Sequence, residues 1–178
     1  MMLFQRLRRR SERAKQEEAE PERLSFAEWT KLVEDTLQAG DYSAAAVERM
    51  KDGFPSDYSA IYDPELADLM GRLETRLLSA RTSVFAEAWA RGIEEGDITR
   101  IRSAWNRLFA SYQNALFYRE CPGFPEEISR QLEQQVWSNA TRLQADCEKS
   151  VRRIEAETGS DFMKDVLYVL RKNKMEDL

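Results

Sequence analysis

Residues 63–97 read DPELADLMGRLETRLLSARTSVFAEAWARGIEEGD, and the fold turns on this stretch. Asp63 before Pro64 places a side-chain cap and then a residue of preset φ at the first helical position. Gly96 with Asp97 supplies a stop followed by a fresh cap. Between these marks Leu66, Met70, Leu73, Leu77, Ala80 and Val84 recur three or four residues apart, with Leu69, Phe85 and Trp89 widening the stripe. The spacing predicts one long amphipathic helix from 64 to about 95. Gly71 inside it costs about 1 kcal/mol relative to Ala, which marks a close helix contact or a bend.

The same punctuation continues downstream. A helix over 98–120 carries Ile98, Ile101, Trp105, Leu108 and Tyr112, and Pro122, Gly123 and Pro125 end it. A third long helix over 125–157 shows Ile128, Leu132, Val136, Ala140, Leu143, Cys147, Val151 and Ile154 on one face, with Gly159 as its stop. Ser160 caps a last helix over 161–174. Seven of the nine residues 162–170 are apolar or aromatic, an arc that suits a central core helix or a docking helix whose second face meets another subunit.

Upstream, Ser25 with Glu28 fits a capping box for a helix over 26–39. Gly40 closes that helix, and Asp41 caps a second one carrying Ala44, Ala45, Val47 and Met50 as far as Gly53. Residues 53–63 read as a loop pinned to the body by the rings of Phe54, Tyr58 and Tyr62. No stretch alternates strictly between apolar and polar, so the chain is expected to be all-α. Long helices of roughly 32, 23 and 33 residues, about 48, 35 and 50 Å at 1.5 Å per residue, are joined by short links that force antiparallel packing. The expected architecture is an elongated antiparallel helical bundle of three long helices (64–157) with an N-terminal helical hairpin (26–52) and a C-terminal apolar helix. The polar run from Glu17 through Glu22, broken by Pro21, separates a basic, independently moving arm (1–22) from a single helical domain (23–178).

Composition narrows the chemistry. The 178 residues are 42% hydrophobic and 33% charged, which suits one ordinary soluble domain. Histidine is absent, which excludes Ser-His-Asp and Cys-His catalysis and His-ligated metal sites. Cys121 and Cys147, two thiols without histidine, make a poor metal site and read as small apolar core residues. No run of 18 apolar residues and no secretory h-region occurs, so a cytoplasmic location is expected. Phosphate-binding glycine signatures are absent. Glu65 and Asp68 share the i, i+3 spacing with which all-helical nucleotide pyrophosphohydrolases hold magnesium. They stand in the first turn of a helix, however, where the dipole favours acids, as do Glu126 and Glu127. No catalytic set, metal site or cofactor is predicted.

The segment 26–52 resembles one tetratricopeptide hairpin through Trp29, Leu32, Gly40, Asp41, Tyr42 and Ala45, where a Gly-Asp turn joins two interlocking helices. It departs from that pattern at Val33, Thr36 and Asp52, and no second copy follows to stack a continuous core. A generic helix-turn-helix corner accounts for the same turn chemistry. The resemblance implies peptide or subunit binding.

Charge is uneven. Residues 1–15 hold six basic side chains against Glu12, so +5, which leaves −10 for the rest of a chain whose net charge is −5. An acidic body repels nucleic-acid phosphates at long range, while the tip can meet phosphate or anionic lipid. A contact with a membrane surface is expected only through residues 1–15, where Met1, Met2, Leu3, Phe4 and Leu7 alternate with arginines. The favoured expectation is a non-enzymatic protein–protein interaction module, an adaptor or structural subunit of a larger cytosolic assembly. Its hydrophobic anchors would be Phe162, Val166, Val169 and Leu170, or Trp29 and Tyr42, facing a protein partner or a second copy. The alternative is a helical subunit of a nucleoprotein complex, with Arg6, Arg8, Arg9 and Arg10 of the arm and Arg100, Arg107, Arg142 and Lys149 of one bundle face on phosphates.

Overall fold

The computed structural model describes residues 24–55, 57–60 and 63–172. The expected arm, with Arg6, Arg8, Arg9 and Arg10, and the ring of Tyr62 lie outside the described residues. All regular structure among the described residues is helical: α1 (Phe26–Ala39), α2 (Ala44–Gly53), α3 (Pro64–Glu95), α4 (Ile98–Ala115), a 3-10 turn (Phe117–Glu120), α5 (Glu126–Thr158) and α6 (Asp161–Lys172). No described helix is long and apolar enough to cross a membrane.

Local chemistry sets these boundaries. The Ser25 backbone N–H donates to Glu28 Oε2 at 2.9 Å while the Glu28 N–H donates to Ser25 Oγ at 3.4 Å, so both halves of the capping box are made. Asp63 Oδ1 accepts from the N–H groups of Glu65 and Leu66, and Asp97 Oδ1 accepts from those of Thr99 and Arg100. Gly96 and Gly159 close α3 and α5 in the left-handed conformation, φ +65° at each, which a side chain would resist. Two boundaries differ from expectation. Ser43, not Asp41, caps α2: its Oγ accepts from the Ala46 N–H, while Asp41 Oδ1 accepts from the Ser43 N–H and closes the turn before the cap. The second long helix stops at Ala115 rather than 120. The chain there tightens into the 3-10 turn, which carries Phe117, Tyr118 and then Cys121 inward.

Helices α3 and α4 make the most extensive pair, and α6 lies against both α5 and α4. Helix α1 rests on α3, and α2 reaches the 3-10 turn. The α3 and α4 backbones come close at Gly92, where a Cβ would stand 2.6 Å from Ile101 Cγ1. Gly71, where the sequence marks a contact or bend, faces nothing within 4 Å, so the close approach belongs to Gly92 instead. The apolar stripe of α3 also drifts. Leu77, Leu78 and Phe85 are buried, whereas Val84 is 70% exposed and leaves the core.

Helix α6 turns its wide apolar arc into the chain's own interior. Val166 and Leu170 are fully buried and Val169 nearly so, while the Leu170 carbonyl accepts from Gln144 Nε2 of α5 at 3.2 Å. Trp29 is likewise enclosed; its Nε1–H donates to the Met50 carbonyl at 2.7 Å and its ring meets Phe54 edge-on. These four side chains, expected as partner anchors, hold the fold together because their apolar area is already removed from water. Phe162 and Tyr42 are half-buried against the same core. Phe54 is buried and Tyr58 stacks on Phe26, so the loop is pinned by its rings as expected. Cys121 and Cys147 are buried free thiols.

Candidate functional site

A groove of about 770 Å³ lies between α3 and α4. Its floor is apolar: Phe85, Ala104 and Leu108 are buried in the wall, and Val84 stands out of it. Small residues at Ala88 and Ala104 keep the groove open where larger side chains would fill it. Helical spacing sets Arg81, Val84, Ala88 and Arg91 on one face of α3, and Arg100 and Arg107, two turns apart, on one face of α4.

The four arginines differ in commitment. Arg81 donates from Nη2 to the Tyr42 carbonyl, which ties α3 to the α1–α2 turn. Arg100 pairs with Glu95 at 2.8 Å and more distantly with Asp97 at 3.8 Å. Arg91 and Arg107 are exposed and make no ion pair with a described residue. Asp97, the acid lining the groove, is occupied with capping α4. The groove therefore presents an apolar floor under a cationic rim, on a chain that is acidic overall.

Of the four body residues expected to touch phosphate, the structure brings Arg100 and Arg107 into this groove. Arg142 lines a separate cleft with Thr82, Tyr112 and Asp146 and donates to Asn139 Oδ1 at 3.1 Å. Lys149 is exposed further along α5 and lines neither cleft. The expected single arginine face is therefore divided: Arg100 and Arg107 line a groove of α3 and α4, and Arg142 a cleft to which α5 also contributes. Elsewhere the basic residues are mixed: Arg76, Arg102 and Arg153 are exposed without an ion pair to a described residue, while others are paired. Arg72 donates to Glu34 at 2.7 Å and to Asp68 at 3.0 Å, which turns Asp68 to a structural use. The exposed Trp137 sits by a smaller cleft whose arginines, Arg119 and Arg130, are bound to Glu133 and to Glu126 and Glu127.

Sequence reasoning missed Arg81, Val84 and Arg91 as groove residues, and it missed Glu74. The Glu74 carboxyl is 2% exposed; Oε1 accepts from the Tyr118 hydroxyl at 3.3 Å, and the buried Oε2 has no hydrogen-bond partner. Burial pushes this carboxyl up to about 8, and the Tyr118 bond opposes the rise without cancelling it. The signal was present in the spacing. Glu74 lies four residues after Met70 and three and four before Leu77 and Leu78, inside the stripe rather than beside it.

Among the described residues no group of three or more His, Cys, Asp or Glu side chains is placed to hold a metal ion. No family model, no curated protein and no solved structure matches the chain.

Proposed function

We propose that this chain is a non-enzymatic protein–protein interaction module, an adaptor or structural subunit of a larger cytosolic assembly. In this reading α3, α4 and α5 form an elongated antiparallel bundle that serves as a rigid support for the α3–α4 groove. The observation that carries it is the groove's composition: the exposed Val84 on an apolar floor, with the side chains of Arg91 and Arg107 making no ion pair with a described residue. Arginine beside desolvatable apolar surface is the pairing that concentrates binding energy at protein interfaces. Capture of partners with the tagged chain from its own cells tests the proposal, comparing wild type with an Arg91→Glu/Arg107→Glu variant and with nuclease added to half of each sample. Proteins that survive nuclease and are lost in the variant support it. Equal recovery by both chains rejects the groove as the docking surface.

A second reading, a helical subunit of a nucleoprotein complex, is favoured by Arg91, Arg100 and Arg107 sharing one rim. It predicts nucleic acid in the untreated samples and retention that falls steeply with salt. The −10 charge carried by residues 16–178 weighs against it.

A further inference from the structure

We infer that the occupant of the α3–α4 groove is an acidic amphipathic helix from another protein, with carboxylates at i and i+4 facing Arg91 and Arg107 and apolar residues at i+3 and i+7 covering Ala88 and Val84. The inference rests on the interaction reading and names the kind of partner. It is carried by charge complementarity and by the spacing of the lining residues. The point where Gly92 faces Ile101 fixes the register of the two antiparallel helices. Counted from there at about 1.5 Å per residue, Arg91 stands about 1.5 Å along the groove, Ala88 about 6 Å, Arg107 about 9 Å and Val84 about 12 Å.

The order along the groove is thus cation, small apolar, cation, apolar. A helix laid parallel to the groove presents positions i, i+3, i+4 and i+7 within one arc of about 100°, at about 0, 4.5, 6 and 10.5 Å along its axis. Acid, apolar, acid, apolar at those positions matches the order of the lining residues, and the flexible guanidinium stems take up the remaining few ångströms. Such helix-in-groove recognition anchors through the same periodic positions. A second copy of this chain is a poor occupant: nowhere in the 178 residues do acids at i and i+4 accompany apolar residues at i+3 and i+7. A nucleic-acid strand would meet the acidic body on approach and would leave Val84 without an apolar neighbour.

Fluorescence anisotropy with the full chain tests this. The probe is a labelled, end-capped peptide of about 16 residues, long enough to hold a helix once bound, with Glu at i and i+4 and Leu at i+3 and i+7. A control peptide carries Lys for each Glu, and a labelled single-stranded oligonucleotide forms a third arm. The Glu peptide is expected to bind saturably, and to bind about tenfold or more weakly to Arg91→Glu/Arg107→Glu and to Val84→Asp chains whose helical circular dichroism and melting temperature match wild type. Equal affinity for the Glu and Lys peptides overturns the inference, as does Glu-peptide affinity that survives the double substitution. Oligonucleotide binding that the double substitution abolishes, with no binding of the Glu peptide, also overturns it. If cellular partners are lost from the double variant while the Glu peptide never binds, the inference fails and the interaction reading stands.

Discussion

At the corner where α1 and α2 meet the 3-10 turn, large side chains are enclosed by one another. Trp29 is hydrogen-bonded and ringed, Phe54 lies against Phe124, and Phe124 stacks on Tyr118. Lys51 is held there between Glu48 at 2.7 Å and Glu120 at 3.1 Å. Along the α3–α4 groove the same kinds of residue are left open. Val84 faces out, and Arg91 and Arg107 hold no acid among the described residues. The two regions belong to the same all-helical chain and differ in how far their side chains are satisfied within it. Side chains whose valences are filled inside the molecule account for folding, and in the proposed reading Val84, Arg91 and Arg107, left open along one groove, are where a partner binds.

The sharpest way to break this comparison is to empty the corner. Trp29→Ala removes a fully buried ring and leaves the Met50 carbonyl without its donor, and is expected to cost about 3–5 kcal/mol in urea unfolding. A loss below about 1 kcal/mol would show that the corner is not structural, and the contrast would collapse. Next comes the buried carboxyl. Because burial raises Glu74 from 4.5 to about 8, the folded chain retains a proton that the unfolded chain releases. The stability this contributes is full below pH 4.5 and is lost as pH rises through about 8, at up to about 1.4 kcal/mol per unit. Glu74→Gln keeps the shape without the charge, so it is expected to stabilise the chain by on the order of 2 kcal/mol at pH 8.5 and to change little at pH 4. Urea titrations at the two values check both halves of that statement.

Smaller effects test the groove. Gly92→Ala pushes a methyl group into Ile101 and is expected to destabilise by about 1–3 kcal/mol, while spreading the helices that frame the groove. A thermal melt measures the loss, and an unchanged melt would show that the two helices approach elsewhere. The least effect on stability belongs to Arg91→Glu/Arg107→Glu, within about 0.5 kcal/mol, because both side chains are exposed and neither is ion-paired with a described residue. A large destabilisation there, read by the same melt, would place the two arginines with Trp29 on the structural side of the comparison.

Helix placement was legible because its signals are local. Asp63-Pro64, Gly96-Asp97 and the Ser25–Glu28 box each act within one turn of the chain, and the structure shows each of them made. What escaped depended on neighbours far away in sequence. Whether Val84 or Phe85 enters the core follows from how α4 crosses α3, since adjacent helical residues differ by only 100°. The burial of Val166 and Leu170 follows from α6 lying against α4 as well as α5, a contact no sequence window contains. The division of Arg107 from Arg142 likewise needed the packing of α5 against the α3–α4 pair. Arg100 and Arg107 could be paired beforehand because they lie two turns apart on one helix. Arg91 joins them only through the hairpin.

The two buried thiols turn this architecture into a timepiece. Burial pushes both Cys121 and Cys147 up to about 12, so near pH 8 only about one thiol in 10⁴ is in the reactive form even before access is considered. An alkylating reagent therefore reacts with each only when its surroundings part. Cys121, with its Sγ against the carbonyls of Lys51 and Phe117, registers the release of the 3-10 turn from α2. Cys147 registers the opening of α5. Without any added probe, the chain reports through two separate labelling rates whether its aromatic corner and its long helices come apart together or one before the other.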